Sequence, residues 1–428
     1  MKIISDTFCA FPWMHLHSWP NGKAMLCCVA NGGDNDGEVG DFSKNTFAEI
    51  INNEKLKQVR LDMLAGKRVA ECSSCYNQEK FGMKSFRQAT NEGFKNPLEL
   101  LSGTDESGFI ENPKMLYMDF RFSNLCNLGC RTCGHQLSSN IANNHMSEAS
   151  KYRDLPELIE KNVLSKQGTI TSFVYARPDF FEKDVLPYID DCRQFYFAGG
   201  EPLMHQEHYD ILNYLDENKL YDKFITYSTN MTLLKWKKVN FLEKWKNFKQ
   251  LQFMCSIDGH REMLEYIRDK SKHDVVFSNL EKLIKLKNDN PDNKCIVNIC
   301  FTVSPYNIYY LGEFFDFLDE NGFLEANGLD SVQLNFAYGD EYNLANLPEF
   351  AKKELKEKIQ LDGNRPSVIK ALQSYGVTKS GWESIEERID SKPDKPFDVF
   401  LKSSLFDYEK AKDAVPWLAS VVERYKII

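Results

Sequence analysis

Nowhere does the chain reach the roughly 18 consecutive apolar residues that a membrane span requires, so no helical span is expected in it. Its first residues, MKIISDTFCAFPWMH, lack the long apolar core of a secretory leader. A cytoplasmic, reducing setting is therefore expected, in which the 12 cysteines serve as metal ligands or buried thiols rather than disulfides. Basic charge is also in short supply. The 53 Lys and Arg stand against 62 Asp and Glu, and a formal charge of −9 excludes a broad nucleic-acid face. One local exception, LLKWKKVNFLEKWKNFKQ at residues 233–250, alternates lysines with Trp236, Trp245 and Phe248; it reads as a helix with an apolar face on the core and a lysine face in water, the alternative being a face for an acidic partner. Aromatic residues are plentiful: 30 Phe and 19 Tyr in 428 residues argue for a folded chain with a sizeable core.

From about residue 113 the chain alternates strand-like and helix-like patterns. The strand candidates are MLYMDFRF (115–122), QFYFA (194–198), KFITYS (223–228), LQFMCSI (251–257), CIVNICFTV (295–303) and SVQLNFAY (331–338). Helical periodicity marks 206–218, 277–288 and 309–321 between them. This alternation predicts an α/β fold with a parallel sheet, an incomplete (β/α)6 barrel of TIM-like type. Ligands of such folds gather where the strands' C-terminal ends open into loops. Five polar clusters follow strands in this way: the cysteine loop NLCNLGCRTCGH, AGGEP, STNMT, SIDG and SPYN. Cys192, Cys255, Cys295 and Cys300 stand singly and read as small core residues.

Cys126, Cys130 and Cys133 have C-x3-C-x2-C spacing. Four thiolates close a cubane or a structural zinc site, whereas three leave one iron of a [4Fe-4S] cluster free to bind a substrate. The alternative is a zinc site completed by His135. The spacing, after the first strand of a partial barrel, resembles the radical S-adenosylmethionine superfamily. The resemblance implies that the open iron is chelated by the amino and carboxylate groups of S-adenosylmethionine, and that reductive cleavage yields a 5′-deoxyadenosyl radical for hydrogen abstraction. An aromatic residue often precedes the third cysteine in that family; here it is Thr132.

Further cofactor contacts come with the same resemblance. Gly199, Gly200 and Glu201 in FAGGEPLM match the motif that meets the methionyl amine. Ser256, Asp258 and Arg268 in CSIDGHREMLEYIRDKS match positions near the methionyl carboxylate and ribose, with Asp258 alternatively a helix cap. Ser304, Asn307 and Asn230 stand at ribose-side positions, or serve only turns. No acid–base pair or nucleophile is assigned beyond the cluster, and a low-potential donor such as flavodoxin or ferredoxin is the implied electron source.

The N-terminal segment FCAFPWMHLHSWPNGKAMLCC reads as a hairpin around Pro20-Asn21-Gly22, followed later by the C-x2-C of VAECSSCYNQE. A four-cysteine zinc ribbon fits this spacing. The pattern C-x12-G-x4-C, then C-x2-C, also resembles the first half of the SPASM domain and its shortened twitch variant, which hold auxiliary iron–sulfur clusters in radical enzymes acting largely on peptides and proteins. Those modules usually follow the barrel; this one precedes it. The position a further SPASM cysteine would take is Phe81, so one auxiliary cluster is expected, [4Fe-4S] or alternatively [2Fe-2S], with Cys9, Cys27, Cys72 and Cys75 as ligands. Neighbouring strand residues point to opposite faces, so Cys27 and Cys28 should not both reach one centre without a bulge, and the count from Gly22 selects Cys27. His15 and His17 share a strand face and offer an alternative ligand, but are expected at the surface.

The expected organisation is a Cys-rich α+β auxiliary module over 1–112, a radical barrel over 113–340 and a helical extension over 341–428. The implied function is radical chemistry on a peptide or protein. The alternatives are radical chemistry on a small metabolite or nucleotide, and a noncatalytic metal-stabilised binding protein.

Overall fold

The computed structural model describes residues 5–31, 37–80, 84–94, 97–151, 155–161, 163–337, 339–374, 379–402 and 406–427. Phe81 and Tyr338 lie outside them. In chain order the strands are β1 (His15–Ser18), β2 (Lys23–Met25), β3 (Glu38–Asp41), β4 (Tyr117–Phe120), β5 (Gly129–Cys130), β6 (Gln194–Phe197), β7 (Phe224–Thr229), β8 (Lys235–Trp236), β9 (Val239–Asn240), β10 (Gln250–Ser256), β11 (Arg268–Asp269), β12 (Lys294–Val303) and β13 (Ser331–Phe336). The six strands expected for the α/β repeat are β4, β6, β7, β10, β12 and β13. The chain divides into two compact units, Met1–Leu125 with His135–Thr226, and Cys126–Gly134 with Tyr227–Ile428. Strand β7 begins in the first and ends in the second.

In the first unit the strand order is β6-β4-β1-β2-β3. The Asn21-Gly22 turn does what its sequence suggests: Gly22 takes φ +89°, and β1 and β2 pair antiparallel with His17 opposite Met25. The other edge of β1 pairs in parallel with β4, placing His15 opposite Tyr117 and His17 opposite Asp119. The N-terminal hairpin is thus bonded to the first strand of the α/β repeat. That pairing corrects the surface placement of the two histidines, which are 1% and 0% exposed. The imidazoles are buried because both edges of β1 are occupied. His15 Nδ1 donates to Tyr117 O at 2.9 Å, which satisfies one ring nitrogen.

In the second unit β10, β12 and β13 run parallel, with β7 beside β10. Strand β10 alternates as its sequence does, burying Leu251, Phe253 and Cys255. Phe253 packs 4.6 Å from Trp245, which also stacks on Phe241 at 5.3 Å. Strand β12 is buried on both faces from Val297 to Phe301, and Phe301 meets Phe314 of helix Leu311–Glu320 at 5.0 Å. Cys192, Cys255, Cys295 and Cys300 are all buried.

Residues 233–250 do not form one long helix. They make the small ribbon β8–β9 and the short helix Phe241–Trp245, because Lys237 turns the chain at φ +52°. Trp245 on that helix and Phe248 just beyond it still reach the core. Beyond the repeat, helices Glu349–Asp362, Tyr408–Ala414 and Pro416–Ile427 bear out the expected helical extension, with Pro416 beginning the last. Trp417 stacks on Tyr309 at 4.6 Å, and its Nε1 donates to Glu354. No helix among the described residues is long and apolar enough to cross a membrane.

Candidate cofactor site

The three-cysteine loop lies in the second unit, and its thiols are half-buried. Cys130 is carried on β5, which pairs antiparallel with β11 and sets it opposite Arg268. Arg268 Nη1 lies 3.6 Å from Cys130 Sγ, and Arg268 Nε lies 2.9 Å from Asp258 Oδ2. On the other side, Asn230 Nδ2 lies 3.8 Å from Cys126 Sγ and donates to Asn127 Oδ1 at 2.9 Å. The Leu128 N–H also points at Cys126 Sγ, at 3.5 Å. Burial pushes the Cys133 thiol up to about 12; Cys130 adds to the shift and Arg268 opposes it.

These residues fit an iron–sulfur cluster. The donors are soft thiols in one short loop, and an amide and a guanidinium direct N–H groups at two of the sulfurs, the outer shell that an anionic thiolate centre needs. Among the described residues no three His, Cys, Asp or Glu side chains converge to hold a single metal ion. A cluster takes one thiolate per iron, so its ligands need not meet at a point.

Asp258 does not cap the following helix, whose N-cap is His260. It is fully buried: Oδ1 accepts from Thr302 N at 2.7 Å and Oδ2 faces Arg268. Asn307, also fully buried, donates to Asp258 O at 3.1 Å and accepts from Ser304 N at 2.9 Å. Asp258, Thr302, Ser304 and Asn307 thus form one network beside Arg268. Ser256 is half-buried at the end of β10.

The glycine pair lies in the first unit. Gly199 has φ +122°, and a Cβ on Gly200 would meet Leu125 O at 2.2 Å. Glu201 N donates to the same carbonyl at 2.8 Å. The pair therefore packs against the residue that immediately precedes Cys126. Glu201 itself is fully buried, and its Oε1 accepts from Leu203 N at 3.3 Å. Sequence reasoning missed Asn124. Wholly buried, it donates to His135 O at 2.8 Å and to Gly168 O at 2.9 Å and accepts from Ile170 N at 2.6 Å. It ties the two chain ends that flank the cysteine loop; its signal was an Asn two residues before the first cysteine.

The second cysteine set also lies in the first unit. Cys9 and Cys75 are buried, Cys27 and Cys72 half-buried. Burial raises the Cys27 thiol well above its ordinary value, reinforced by Cys28, Cys9 and Cys72. Burial also lifts Cys9 to about 12, with Cys75 contributing. Burial raises Cys28 to about 12 as well; Asp119 and Cys75 add to the shift and Arg121 opposes it.

The Radical SAM superfamily model matches residues 120–318, and an iron-sulfur cluster-binding domain model, SPASM, matches residues 9–76. No curated protein matches the chain. Among solved structures, it is similar to hexahistidine-tagged anSMEcpe with bound AdoMet, at 20% identity and TM-score 0.25, covering 40% of this chain and 48% of that one. The match thus spans about half of that relative. Streptococcus suis SuiB bound to S-adenosylmethionine matches at 13% identity and TM-score 0.33, over 85% of this chain and 69% of that one. The same protein bound to precursor peptide SuiA matches at 13% and 0.33, over 81% and 67%. One domain model thus falls on the strand-and-helix repeat and another on the N-terminal cysteines: the chain carries a Radical SAM domain at 120–318 and a SPASM iron–sulfur cluster-binding domain at 9–76.

Proposed function

We propose that this enzyme cleaves S-adenosylmethionine reductively at a [4Fe-4S] cluster held by Cys126, Cys130 and Cys133, and uses the resulting 5′-deoxyadenosyl radical to take hydrogen from a peptide or protein. One observation carries the reading: a loop of three thiols in which Asn230 and Arg268 direct N–H donors at the sulfurs of Cys126 and Cys130. When bound, the cluster supplies the electron and the open iron. The chain's own residues fix the sulfurs, keep Arg268 paired with Asp258, and pack the Gly199-Gly200-Glu201 turn against Leu125. Gly199, Gly200, Glu201, Asn230, Ser256, Asp258, Arg268, Ser304 and Asn307 are assigned to the cofactor's surroundings. Asp258, Ser304 and Asn307 act there through the Arg268 network.

Cys9, Cys27, Cys72 and Cys75 are assigned to one auxiliary cluster, [4Fe-4S] in the first instance. The SPASM match supports the cluster, and the kinship of that module with peptide-modifying radical enzymes supports the substrate class. We divide the chain into an auxiliary module at 1–112, a barrel at 113–340 and an extension at 341–428. The enzyme works in the cytoplasm with a flavodoxin- or ferredoxin-like donor. Iron and sulfide analysis after anaerobic reconstitution, followed by a 5′-deoxyadenosine assay, tests the reading. Iron at both sites and 5′-deoxyadenosine on reduction are expected; zinc alone contradicts it.

A further inference from the structure

Between Cys130 and Cys133 stands one long side chain, Arg131, to which cluster ligation gives no task. It is 7% exposed and engaged on every side. Its N–H donates to Ile267 O at 2.8 Å, and its Nε donates to Tyr266 O at 2.7 Å. The guanidinium carbon lies 3.9 Å from the centroid of the Tyr266 ring, a cation–π contact made in a buried setting. The Arg131 carbonyl accepts a hydrogen bond from Tyr342 Oη.

Tyr266 is held at its far end as well. Its Oη donates to Asp407 O and accepts from Asp407 N, both at 3.2 Å. Asp407 is the N-cap of helix Tyr408–Ala414. Tyr306, fully buried, fills the space between, 5.8 Å from the Tyr266 ring and 6.5 Å from Tyr342, with Phe400 at 5.2 Å. All these residues belong to the second unit.

The β5–β11 pair spans two residues on each strand, too short a ladder to fix a loop by itself. We propose that Tyr266 and Tyr342 are positioning residues that clamp the Cys130–Cys133 segment through Arg131, and that the C-terminal extension serves as the anchor of that clamp. The inference rests on the cluster assignment made above. It gives the extension a task in cofactor retention, separate from any role in substrate choice.

The test uses the full chain, reconstituted anaerobically, with Tyr266→Phe and Tyr342→Phe. Each variant loses one hydroxyl and keeps its ring. Iron release to a chelator is followed together with the electron paramagnetic resonance spectrum of the reduced loop cluster and the melting temperature. A Cys126/Cys130/Cys133→Ala variant identifies the iron held elsewhere. The clamp predicts that each variant releases the loop iron about fivefold faster, the equivalent of one hydrogen bond. It also predicts a perturbed loop spectrum, while iron at the other site and the melting temperature hold. Unchanged release in both variants overturns it, as does equal acceleration at both sites with a fallen melting temperature. If Tyr266→Phe does not fold, Tyr342→Phe carries the same comparison. Absence of loop iron from the unaltered chain overturns instead the cluster assignment on which the clamp depends.

Discussion

His17 Nδ1 donates to Asp119 Oδ2 at 2.9 Å across the register pair that joins β1 to β4, and both side chains are sealed from solvent. Arg121 stands beyond, its Nε 3.6 Å from Asp119 Oδ1. Burial alone would raise the Asp119 carboxyl. The fields of His17 and Arg121 and the His17 hydrogen bond outweigh it and hold the group down at about 2, against an ordinary 3.8.

A depressed carboxyl stabilises the fold above its unfolded pKa, and that stability is lost as pH falls through the folded value. Asp119→Asn is therefore expected to lower stability at pH 7 by about 2 kcal/mol. It should also flatten the loss that the unaltered chain shows between roughly pH 4 and 2. Urea midpoints across that range, read by circular dichroism, check both. An undiminished acid limb in the Asp119→Asn variant would contradict the pairing.

The histidines titrate in a higher window. Burial lowers His15 from 6.5 to about 4, and His17 shifts in the same direction for the same cause. For an imidazole held neutral in the fold, the unfolded chain binds more protons between those values, so stability falls as pH drops from 6.5 toward 4. His15→Phe, which keeps a ring against Tyr117, should cost about 1 kcal/mol at pH 7 for the lost hydrogen bond and reduce the slope between pH 6.5 and 4. The same denaturation series checks it.

Two glycines near the candidate site should respond in opposite ways. A Cβ at Gly200 would meet Leu125 O at 2.2 Å, whereas at Gly134 it meets nothing within 4 Å. Gly200→Ala must displace the backbone that leads into Cys126, and a shift of that order costs roughly a hundredfold in turnover. Gly134→Ala should stay within about twofold of the unaltered enzyme in 5′-deoxyadenosine formation, its substitution costing no more than an ordinary surface change.

Cysteine substitutions sort the ligands. Alanine at Cys126, Cys130 or Cys133 should abolish 5′-deoxyadenosine formation and remove the loop iron while sparing the iron of the N-terminal set. Alanine at Cys9, Cys27, Cys72 or Cys75 should do the reverse for iron. Cys28→Ala and Cys192→Ala should retain both, since the count from Gly22 selects Cys27 rather than its neighbour Cys28 and Cys192 is a buried core thiol. Iron and sulfide analysis of each variant reads the outcome.

Much of this was legible before any coordinates. Strand β10 announces itself by its alternation and β12 by the apolar-rich CIVNICFTV, and the three-cysteine spacing is local in sequence. What escaped was non-local. The pairing of β1 with β4 joins residues 102 apart, and no periodicity encodes such a partner, so His15 and His17 looked like surface residues. Asn124 was missed because its bonds reach Gly168 and Ile170, 44 and 46 residues on. The helix expected at 233–250 failed because its lysine–aromatic spacing suits either a helix or a ribbon, and the turn at Lys237 decided it.

The central claim is tested most directly by adding S-adenosylmethionine to the reduced, oxygen-protected protein while recording the electron paramagnetic resonance of the loop cluster. A changed spectrum, absent from Cys126→Ala and followed by 5′-deoxyadenosine, is the predicted result. A loop cluster whose spectrum ignores S-adenosylmethionine, with no 5′-deoxyadenosine formed, would contradict the account.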